Sequence, residues 1–378
     1  MASADAVIDF RPASIGDIDA LLHLETTCFQ HDRLSRRSFR HHIRSSKRDL
    51  TVALRQGQLL GYGLVLYHQG TRLARMYSLA VSPEARGLGV GRGLMRTLEQ
   101  NARRAGRHYM RLEVATNNTN AIALYESEGY RPFGEYLDYY EDHSNALRMH
   151  KRIRRAPVEG HYQEVPWYPQ STEFTCGPAS LLMGMASLNP NSECSLTHEL
   201  DLWREATTIF MTSGHGGCHP LGLGLAAVKR GFKAQVHLST NEPLFLDGVR
   251  SDHKKAILRQ VHQQFVAEAD AVGVQVVYDA IALPEIEQAV AEGAAVLVLV
   301  STFRLDGKKA PHWVVLTGID DDCLFVHDPD IDEDEQIAAD CQHIPIAKDD
   351  FDKMAVFGVQ RLRAAVVLRT QDHQEPLI

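Results

Sequence analysis

The sequence predicts two domains of the α/β (α+β) class, and three observations support this. At about 100–200 residues per domain, a chain of 378 residues corresponds to about two domains. Strand-like and helix-like stretches alternate through the first half, which is typical of a domain built on one mixed sheet. The charge also changes sign, because residues 1–155 carry 24 Lys and Arg against 16 Asp and Glu, whereas residues 156–378 carry 16 against 32. We therefore expect domains at 7–153 and 163–370, joined by a linker at 154–162.

The linker and the charge asymmetry bear on partners. The chain around Arg148–Pro166 is basic, then carries proline and glycine without a clean apolar period, which is typical of a connection between domains. The basic half could attract a polyanion and the acidic half a basic partner. A solvated surface with some docking between the halves accounts for the asymmetry equally well.

The composition excludes several classes of protein. Hydrophobic residues make up 44% and charged residues 23%, which argues against disorder, a collagen-like repeat and a coiled coil. No run approaches the roughly 18 apolar residues of a membrane-spanning helix, and Met1–Pro12 lacks the apolar core of a secretory signal. We expect a cytoplasmic protein that does not bind a membrane, with its six cysteines mostly free thiols.

The first half alternates helices and strands. Apolar residues at helical spacing indicate a helix in Asp17–Cys28. Apolar runs at Leu50–Leu54 and Leu59–Tyr67, separated by Gln56 and Gly57, indicate a hairpin. The remaining elements are predicted, in chain order, at Arg75–Val81, Gly89–Ala105, Tyr109–Val114, Asn120–Ser127, Phe133–Tyr140 and Ala146–Lys151.

A glycine-rich turn is the strongest motif of this half. The segment Tyr77–Met95 leaves a strand at Val81, turns at Pro83 and opens an amphipathic helix. Glycines let the backbone approach a diphosphate, and the helix N-terminus offers unpaired N–H groups and a positive dipole end. The spacing matches neither the dinucleotide-binding fingerprint nor the Walker motif. We predict that this turn binds the phosphates of a ligand through Arg86, Gly87, Leu88, Gly89, Val90, Gly91 and Arg92.

The R-x-x-G-x-G spacing of this turn resembles the coenzyme A loop of the GNAT N-acetyltransferase superfamily. The segment Arg111–Tyr130 resembles the closing segment of the ribosomal-protein N-terminal acetyltransferases within it, through Glu113, Asn118 and Tyr125. The resemblance implies an acetyl-CoA-dependent N-acetyltransferase domain that takes acetyl-CoA as the acyl donor. Asn118 would then bond the cofactor, and the pantetheine arm would be held by backbone groups of Leu79, Ala80 and Val81.

The chemistry of acetyl transfer suits the residue types at these positions. A neutral amine must attack the thioester carbonyl, so the amine has to lose a proton. Glu113 would accept that proton as general base, through a water molecule. Tyr125 would protonate the departing thiolate, because a phenol with a pKa near 10 suits a thiol leaving group.

A cysteine, a histidine and an aspartate of the second half form the pattern of a nucleophilic site. Cys176 precedes Gly-Pro and an apolar helical run, so the helix dipole would stabilise its thiolate. His312 begins an apolar strand, and the returning strand of the same hairpin ends at Asp328. Nucleophile, base and orienting acceptor are then Cys176, His312 and Asp328. The amide of Gln170 could donate into an oxyanion hole.

This pattern resembles the papain-like cysteine peptidases, and most closely the double-glycine leader peptidases of bacteriocin exporters. Those peptidases carry Q-x5-C-G-P, then a strand histidine, then Asp-Pro. The resemblance implies a papain-like α+β fold and a cysteine peptidase that acts on peptides. The chain between the motifs is longer than a compact leader peptidase needs, so we expect an insertion near 237–278 that contains a helix at Lys254–Ala269.

The remaining cysteines and histidines receive structural interpretations. His215, Cys218 and His219 lie in the glycine-rich stretch Gly214–Leu225, but no second Cys or His pair accompanies them as in zinc sites. We expect no metal there, and a loop that enters a helix. Four cysteines are expected to be small buried side chains: Cys28, Cys194, Cys323 and Cys341. Three histidines are expected at the surface: His253, His262 and His343.

Together the motifs predict a bifunctional cytoplasmic enzyme. One domain would N-acetylate an amine, with a peptide or protein N-terminus favoured, and the other would cleave peptides, which exposes an α-amine for acetylation. Three alternatives stay open. The second domain could transfer acyl groups or deamidate; it could be an inactive domain that only binds peptide substrate; or the first domain could only sense acetyl-CoA. The expected partner is a peptide or protein, not a nucleic acid.

Overall fold

The computed structural model describes residues 7–154, 160–210, 215–247, 249–302, 310–331 and 337–371. The chain divides into two compact units, Met1–Pro157 and Val158–Ile378, and each unit contains one sheet. This division falls inside the predicted linker at 154–162, of which residues 155–159 lie outside the described residues.

The described part of the first unit has a seven-stranded mixed sheet. Its strands are β1 (Asp9–Pro12), β2 (Arg48–Arg55), β3 (Gln58–Tyr67), β4 (Leu73–Val81), β5 (Tyr109–Ala115), β6 (Arg131–Tyr136) and β7 (Ala146–Arg152). They lie in the order β1-β2-β3-β4-β5-β7-β6, and β4 pairs with β5 in parallel. The predicted hairpin joins β2 to β3, and both Gln56 and Gly57 adopt positive φ angles there, as a tight two-residue turn requires.

Helices cover both faces of this sheet. They are α1 (Ile18–Cys28), α2 (Arg36–Arg44), α3 (Val90–Arg104) and α4 (Thr119–Ser127). Met110, Leu112 and Val114 of β5 pack in one core cluster with residues of α3 and α4. Because side chains alternate along a strand, Glu113 of β5 faces the opposite side, on which α1 packs in a separate cluster.

Two elements of this unit differ from the prediction. The helix α2 is not predicted, because its only apolar residues are Phe39 and Ile43 among seven polar ones, too few to define a helical stripe. The strand predicted at Phe133–Tyr140 is β6, which ends at Tyr136. Asp138 adopts a positive φ of 54°, a left-handed conformation that interrupts the extended backbone of a strand.

The described part of the second unit has an eight-stranded sheet. Its strands are β8 (His161–Tyr162), β9 (Phe232–Leu238), β10 (Gln275–Val277), β11 (Ala295–Ser301), β12 (Pro311–Ile319), β13 (Cys323–His327), β14 (Ile344–Ala347) and β15 (Ala364–Thr370). Seven of them run in the order β10-β9-β15-β11-β12-β13-β14, and β8 pairs with β12. The predicted hairpin around His312 is β12 and β13, which pair antiparallel.

The helices of this unit are α5 (Cys176–Leu188), α6 (Leu196–Ala206), α7 (Pro220–Lys229), α8 (Asp252–Val272), α9 (Leu283–Ala291) and α10 (Lys348–Met354). Apolar residues of α5, α6 and α7 pack on one face of the sheet, and those of α9 and α10 on the other. The segment 237–278, predicted as an insertion, supplies α8 and also β10, which pairs in parallel with β9. Among the described residues, no helix is both long enough and apolar enough to cross a membrane.

Candidate functional sites

The parallel strands β4 and β5 separate at the place where the sequence predicts the pantetheine arm. Their pairing extends from Leu73 with Tyr109 to Met76 with Leu112. Beyond Met76, β4 pairs with β3, and beyond Leu112, β5 pairs with β7. The three predicted residues stay paired with β3 on one edge of β4, whereas the other edge, which pairs with β5 as far as Met76, has no strand beside it in the described pairings. Backbone groups on such an edge need a partner, and an extended amide-bearing chain can provide one. These residues are Leu79, Ala80 and Val81.

The glycine-rich turn follows β4 directly. Gly87 and Gly89 adopt left-handed φ angles of 81° and 77°, and Gly89 immediately precedes the first residue of α3, Val90. A Cβ atom at either glycine would meet no atom within 4 Å, so a side chain would fit in the space. Glycine is favoured there because of the left-handed backbone conformation. The first N–H groups of a helix have no intrahelical acceptor and carry partial positive charge, so this end of α3 favours a phosphate.

The other residues predicted for this turn surround the same helix end. Gly91 lies in the first turn of α3, where a Cβ atom would come 3.3 Å from Leu124 of α4. The guanidinium Nε of Arg92 lies 2.7 Å from Glu128 Oε1. Arg86 and Leu88 lie between the short 3-10 helix Pro83–Ala85 and α3. The turn therefore brings together glycines in left-handed conformations, the N-terminus of α3 and two arginine side chains.

The predicted base, Glu113, has a partner that the sequence analysis missed. Arg75 Nε donates to Glu113 Oε2 at 2.8 Å, and both side chains are about 95% buried, with 5% and 4% of their surface exposed. Arg75 also donates to the hydroxyl of Tyr139 at 2.8 Å. The second oxygen of Glu113, Oε1, is buried and has no hydrogen-bond partner among the described residues. It is therefore the oxygen left to accept a proton or to bind a water molecule.

Tyr125 and Asn118 occupy opposite ends of α4. Tyr125 is buried in the core cluster of α3 and β5, and burial raises its pKa to about 12. Its hydroxyl therefore remains protonated at neutral pH. The side-chain oxygen of Asn118 accepts from the backbone N–H of Ala121 at 3.2 Å and so caps α4. The side-chain amino group of Asn118 does not take part in this capping bond.

In the second unit, three predicted residues come together at the end of the β12–β13 hairpin. Cys176 is the first residue of α5 and is 7% exposed. His312 Nε2 lies 2.6 Å from Asp328 Oδ1, and Asp328 directly follows β13. Burial by itself lowers the pKa of His312, but Asp328 and Cys176, which both hydrogen bond to the ring, raise that pKa well above its ordinary value. The imidazolium form of His312 is therefore favoured beside the Asp328 carboxylate.

Close packing fixes the nucleophile helix against β12. Ser180 Oγ donates to the carbonyl oxygen of Trp313 at 3.0 Å, which ties the second turn of α5 to the strand that carries His312. At Gly177, a Cβ atom would lie 3.0 Å from Cys218 Cβ and 3.2 Å from Trp313 Cδ1. The glycine after Cys176 is thus a close-approach position, and a larger residue would move the nucleophile away from its partner.

Gln170 lies beside the same hairpin end. Its Nε2 donates to Asp330 Oδ1 at 3.0 Å, and its backbone N–H donates to the carbonyl oxygen of Pro329 at 2.8 Å. The segment that contains Gln170 is held from the other side by Glu199, a fully buried residue of α6. Glu199 accepts from the backbone N–H and hydroxyl of Ser171 at 2.7 and 2.6 Å, and from the hydroxyl of Tyr168 at 2.8 Å. The sequence does not indicate this role of Glu199, because its partners lie about 30 residues away and no motif joins them.

The stretch Gly214–Leu225 packs beside the nucleophile helix, where Cys218 lies against Gly177. Its first residue, Gly214, lies outside the described residues. Cys218 is buried, and burial together with nearby Cys176 raises its pKa well above the ordinary value. His219 caps α7 and lies 3.1 Å from His262 between ring nitrogens. The expectation that His262 is a surface residue is wrong, because it is 5% exposed and packs in this pair. The described residues contain no group of three or more His, Cys, Asp or Glu suited to a metal ion.

His343 also differs from its prediction. It is half-buried and its ring stacks on Phe325 at 4.4 Å between centroids. The remaining cysteines are free thiols; Cys323 and Cys341 are buried, as predicted, whereas Cys28 and Cys194 are half-buried.

Family models match both units. A model described as the Peptidase_C39 like family matches residues 165–369, which is more than half of the chain. A model described as the Acetyltransferase (GNAT) family matches residues 18–130. The two matched ranges include all of the residues predicted for the two sites.

Curated relatives match the first unit. An uncharacterized N-acetyltransferase of Methanocaldococcus jannaschii is 38% identical over 102 residues, which is 27% of this chain and 64% of the relative. An N-alpha-acetyltransferase of Mycobacterium tuberculosis is 32% identical over 145 residues, 35% of this chain and 87% of the relative. A protein of Azospirillum brasilense named IAA acetyltransferase is 34% identical over 88 residues, which is 22% of this chain and 58% of the relative. The chain therefore spans less than two thirds of the length of the M. jannaschii and A. brasilense relatives.

Solved structures also match the first unit. The ribosomal-protein-S18-alanine N-acetyltransferase of Escherichia coli is 23% identical and aligns with 40% of this chain and 98% of its own, at a TM-score of 0.37. A protein of Salmonella typhimurium, solved with its cofactor acetyl-CoA, is 19% identical and aligns with 41% of this chain and 98% of its own, at a TM-score of 0.36.

Proposed function

Because the chain belongs to the Peptidase_C39 like family and carries an N-acetyltransferase domain of the GNAT family before it, we propose that it is a bifunctional enzyme that cleaves peptides and N-acetylates an amine. GNAT acetyltransferases use acetyl-CoA, and we propose acetyl-CoA as the acyl donor here. The proposed substrate is a peptide or protein whose α-amine is acetylated. The proposal places the enzyme in the cytoplasm, where a nucleophilic thiol stays reduced.

The observation that carries the peptidase half is the hydrogen-bonded series of Cys176, His312 and Asp328. The thiolate of Cys176 would attack the scissile carbonyl, while His312, held by Asp328, would give its proton to the departing amine. A water molecule would then release the acyl group, with His312 as its base. The N-terminal amides of α5 and the side-chain amide of Gln170 are the available donors for the oxyanion.

The acetyltransferase half is supported by the open edge of β4 and the glycine-rich turn that follows it. When bound, acetyl-CoA supplies a thioester carbonyl for attack by the amine. The edge of β4 would hold the amide-bearing arm, and the N-terminus of α3 would bind the phosphates. Glu113 Oε1 would take the proton of the amine, and the Tyr125 hydroxyl would give a proton to the leaving thiolate.

A chemical link between the two reactions supports joining them in one proposal. Cleavage of a peptide bond releases a new α-amine, and an N-terminal acetyltransferase consumes α-amines. The M. tuberculosis relative is named an N-alpha-acetyltransferase, which favours a peptide N-terminus over a small amine as the acceptor. In the proposed sequence, the peptidase product is therefore the acetyl acceptor.

The experiment is incubation of the full chain with a peptide library, with and without acetyl-CoA, followed by mass spectrometry. We expect new N-termini that carry an acetyl group only when acetyl-CoA is present. Cys176→Ala should abolish both cleavage and acetylation of the products, whereas Glu113→Gln should abolish acetylation alone. Cleavage without acetylation of any product would overturn the coupled reaction, and binding of peptides without cleavage would favour a peptide-binding module.

A further inference from the structure

The residues that follow β13 connect the two functional parts of the peptidase site. We call Asp328, Pro329 and Asp330 the Asp-Pro-Asp turn. Its first carboxylate hydrogen bonds to His312 at 2.6 Å. Its proline carbonyl accepts from the backbone N–H of Gln170 at 2.8 Å, and its second carboxylate accepts from Gln170 Nε2 at 3.0 Å. One three-residue turn thus contacts both the candidate base and the candidate oxyanion donor.

Hydrogen bonds hold this turn in one conformation. The N–H of Asp330 donates to Asp328 Oδ1 at 2.9 Å, so the two carboxylates are coupled through the backbone. The N–H of Asp328 donates to the carbonyl oxygen of Cys341 at 2.8 Å, and the Cys341 thiol donates to the carbonyl oxygen of Asp330 at 3.2 Å. Trp167 Nε1 donates to the carbonyl oxygen of Asp328 at 2.8 Å. The turn is therefore a rigid support on which Gln170 rests.

The contact with Asp330 determines how the Gln170 amide is oriented. A carboxylate accepts but does not donate, so the nitrogen of the amide, and not its oxygen, has to face Asp330. The other end of the amide, Oε1, is buried and has no hydrogen-bond partner among the described residues. Without the Asp330 carboxylate, no other contact among the described residues would favour Nε2 of Gln170 over Oε1 at this position. Because the amide is planar, one N–H bonded to Asp330 fixes the direction of the second.

We propose that Asp330 is a positioning residue that sets the side-chain amide of Gln170 so that its second N–H can stabilise the oxyanion. This proposal rests on the proposed peptidase function. Asp330 itself does not touch the substrate. Its effect is limited to reactions in which a carbonyl oxygen becomes negatively charged, because only these reactions use the amide of Gln170.

Two reactions of the same thiol separate this role from a structural one. With p-nitrophenyl acetate, the Cys176 thiolate forms an S–C bond to the carbonyl, the π electrons move to the oxygen, and the tetrahedral species then expels p-nitrophenolate to leave an acetyl-thioester. With iodoacetamide, the thiolate displaces iodide directly, and no oxyanion forms. Both reactions need Cys176 activated by His312, but only the first needs the amide of Gln170.

The experiment measures both rates in the full chain, by the burst of p-nitrophenolate and by peptide mass spectrometry of Cys176. In Asp330→Ala we expect acylation to fall about 10- to 100-fold, somewhat less than the roughly 100- to 1,000-fold loss on removing an oxyanion donor. Alkylation should stay within about twofold. Asp330→Asn should recover only part of the acylation rate, because its side-chain oxygen can still accept from Gln170 Nε2 but its amino group can also donate to the oxygen of a reversed amide. The exposed Asp321, in the β12–β13 turn, supplies the matched control Asp321→Ala, which should change neither rate.

A double variant sharpens the result. Gln170→Ala should lower acylation at least as much as Asp330→Ala, and adding the second substitution to the first should lower it no further, since the two residues act as one unit. A parallel fall of acylation and alkylation in Asp330→Ala, or no fall at all in acylation, would overturn the proposal. If Cys176 in the native protein is alkylated no faster at pH 5.5 than the other cysteines, the proposed peptidase function fails and this inference fails with it.

Discussion

The two units assemble their candidate sites in different ways. In the first unit, the predicted residues lie on one stretch of chain, from Leu79 to Tyr125, around an edge of β4 that pairs with no strand in the described part of the chain. In the second unit, Gln170 and Cys176 come from a segment far in sequence from His312 and Asp328. Cys176, His312 and Asp328 form a hydrogen-bonded series, and the Gln170 amide is joined to it through Asp330, whose backbone N–H donates to Asp328. The first site is an opening lined by backbone groups, whereas the second is a network of side chains.

This difference follows from where the reactive group comes from. An acetyltransferase receives its electrophile on a carrier, so the protein has to provide a shaped edge, a phosphate site and two groups that move protons. A cysteine peptidase carries its own nucleophile, which has to be activated before the substrate arrives. A site of the first kind can be encoded in a local motif, and a site of the second kind depends on tertiary packing. Each of the following variants tests one side of this contrast.

The largest effect is expected for the nucleophile itself. Cys176→Ala should lower acylation by p-nitrophenyl acetate by about 10⁴-fold or more, because the variant lacks the sulfur that forms the bond to the carbonyl carbon. The rate of acetylation of a peptide amine, measured by the release of free coenzyme A, should be unchanged. A parallel loss of acetyl transfer would contradict the assignment of one reaction to each unit.

The next largest effect is expected for the base of the first site. Glu113→Gln should lower kcat for acetyl transfer about 100- to 1,000-fold, because the amide cannot accept the proton of the amine. The affinity for acetyl-CoA, measured by calorimetry, should change little, since Glu113 is not on the phosphate-binding turn. The matched control is Glu126→Gln, an exposed position on α4. An equal loss of kcat in both variants would contradict the assignment of Glu113 as the general base.

The third test addresses the pH dependence of the second site. The pKa of His312 is raised well above its ordinary value, so the imidazolium persists from acid through neutral pH and disappears only as the pH rises through that raised pKa. Iodoacetamide should therefore label Cys176 at pH 5.5 much faster than the other cysteines. His312→Ala should slow this labelling on the order of 100-fold at pH 5.5 and less at pH 8.5. His253→Ala, on the exposed surface of α8, should leave the rates unchanged.

A smaller effect is expected for the acid of the first site. Tyr125→Phe should lower kcat for acetyl transfer about 10- to 100-fold, because the thiolate would then have to leave without a proton. The pKa of Tyr125 is raised to about 12, so the hydroxyl stays protonated below that pH. The kcat of the native enzyme should accordingly show no basic limb from this group below about pH 11. A limb near pH 10 that Tyr125→Phe removes would show that burial does not raise this pKa.

The smallest effect is expected for the phosphate-binding turn. Gly89→Ala should cost about 1 kcal/mol of folding free energy, because an alanine has to adopt a φ of 77°. It should also weaken acetyl-CoA binding about fivefold, because the turn relaxes away from the conformation that binds phosphate. Gly57→Ala is the matched control: its φ is 81° and its Cβ would likewise meet no atom within 4 Å. The control should lose the same stability in a denaturant titration and keep its affinity for acetyl-CoA.

Much of the fold was accessible from the sequence because local signals are strong where elements are amphipathic. The hairpin at Gln56 and Gly57 and the strand–turn–helix around the glycine-rich motif are both present. The helix α2 is not predicted, since Phe39 and Ile43 are its only apolar residues and do not define a helical stripe. The same reasoning explains why His262, in a helix with an ambiguous pattern, was assigned to the surface although it pairs with buried His219.

The sequence by itself determined which residue types occur at motif spacing: the glycines before α3, the glutamate and tyrosine that follow, the cysteine at the start of α5, and the histidine and aspartate of one hairpin. These features are set by nearest neighbours and by the periods of helix and strand. Only the tertiary structure decided which side chains contact them. The pairs Arg75 with Glu113, Asp330 with Gln170 and Glu199 with Ser171 join distant segments. Their formation depends on strand register and helix packing, which no local spacing encodes.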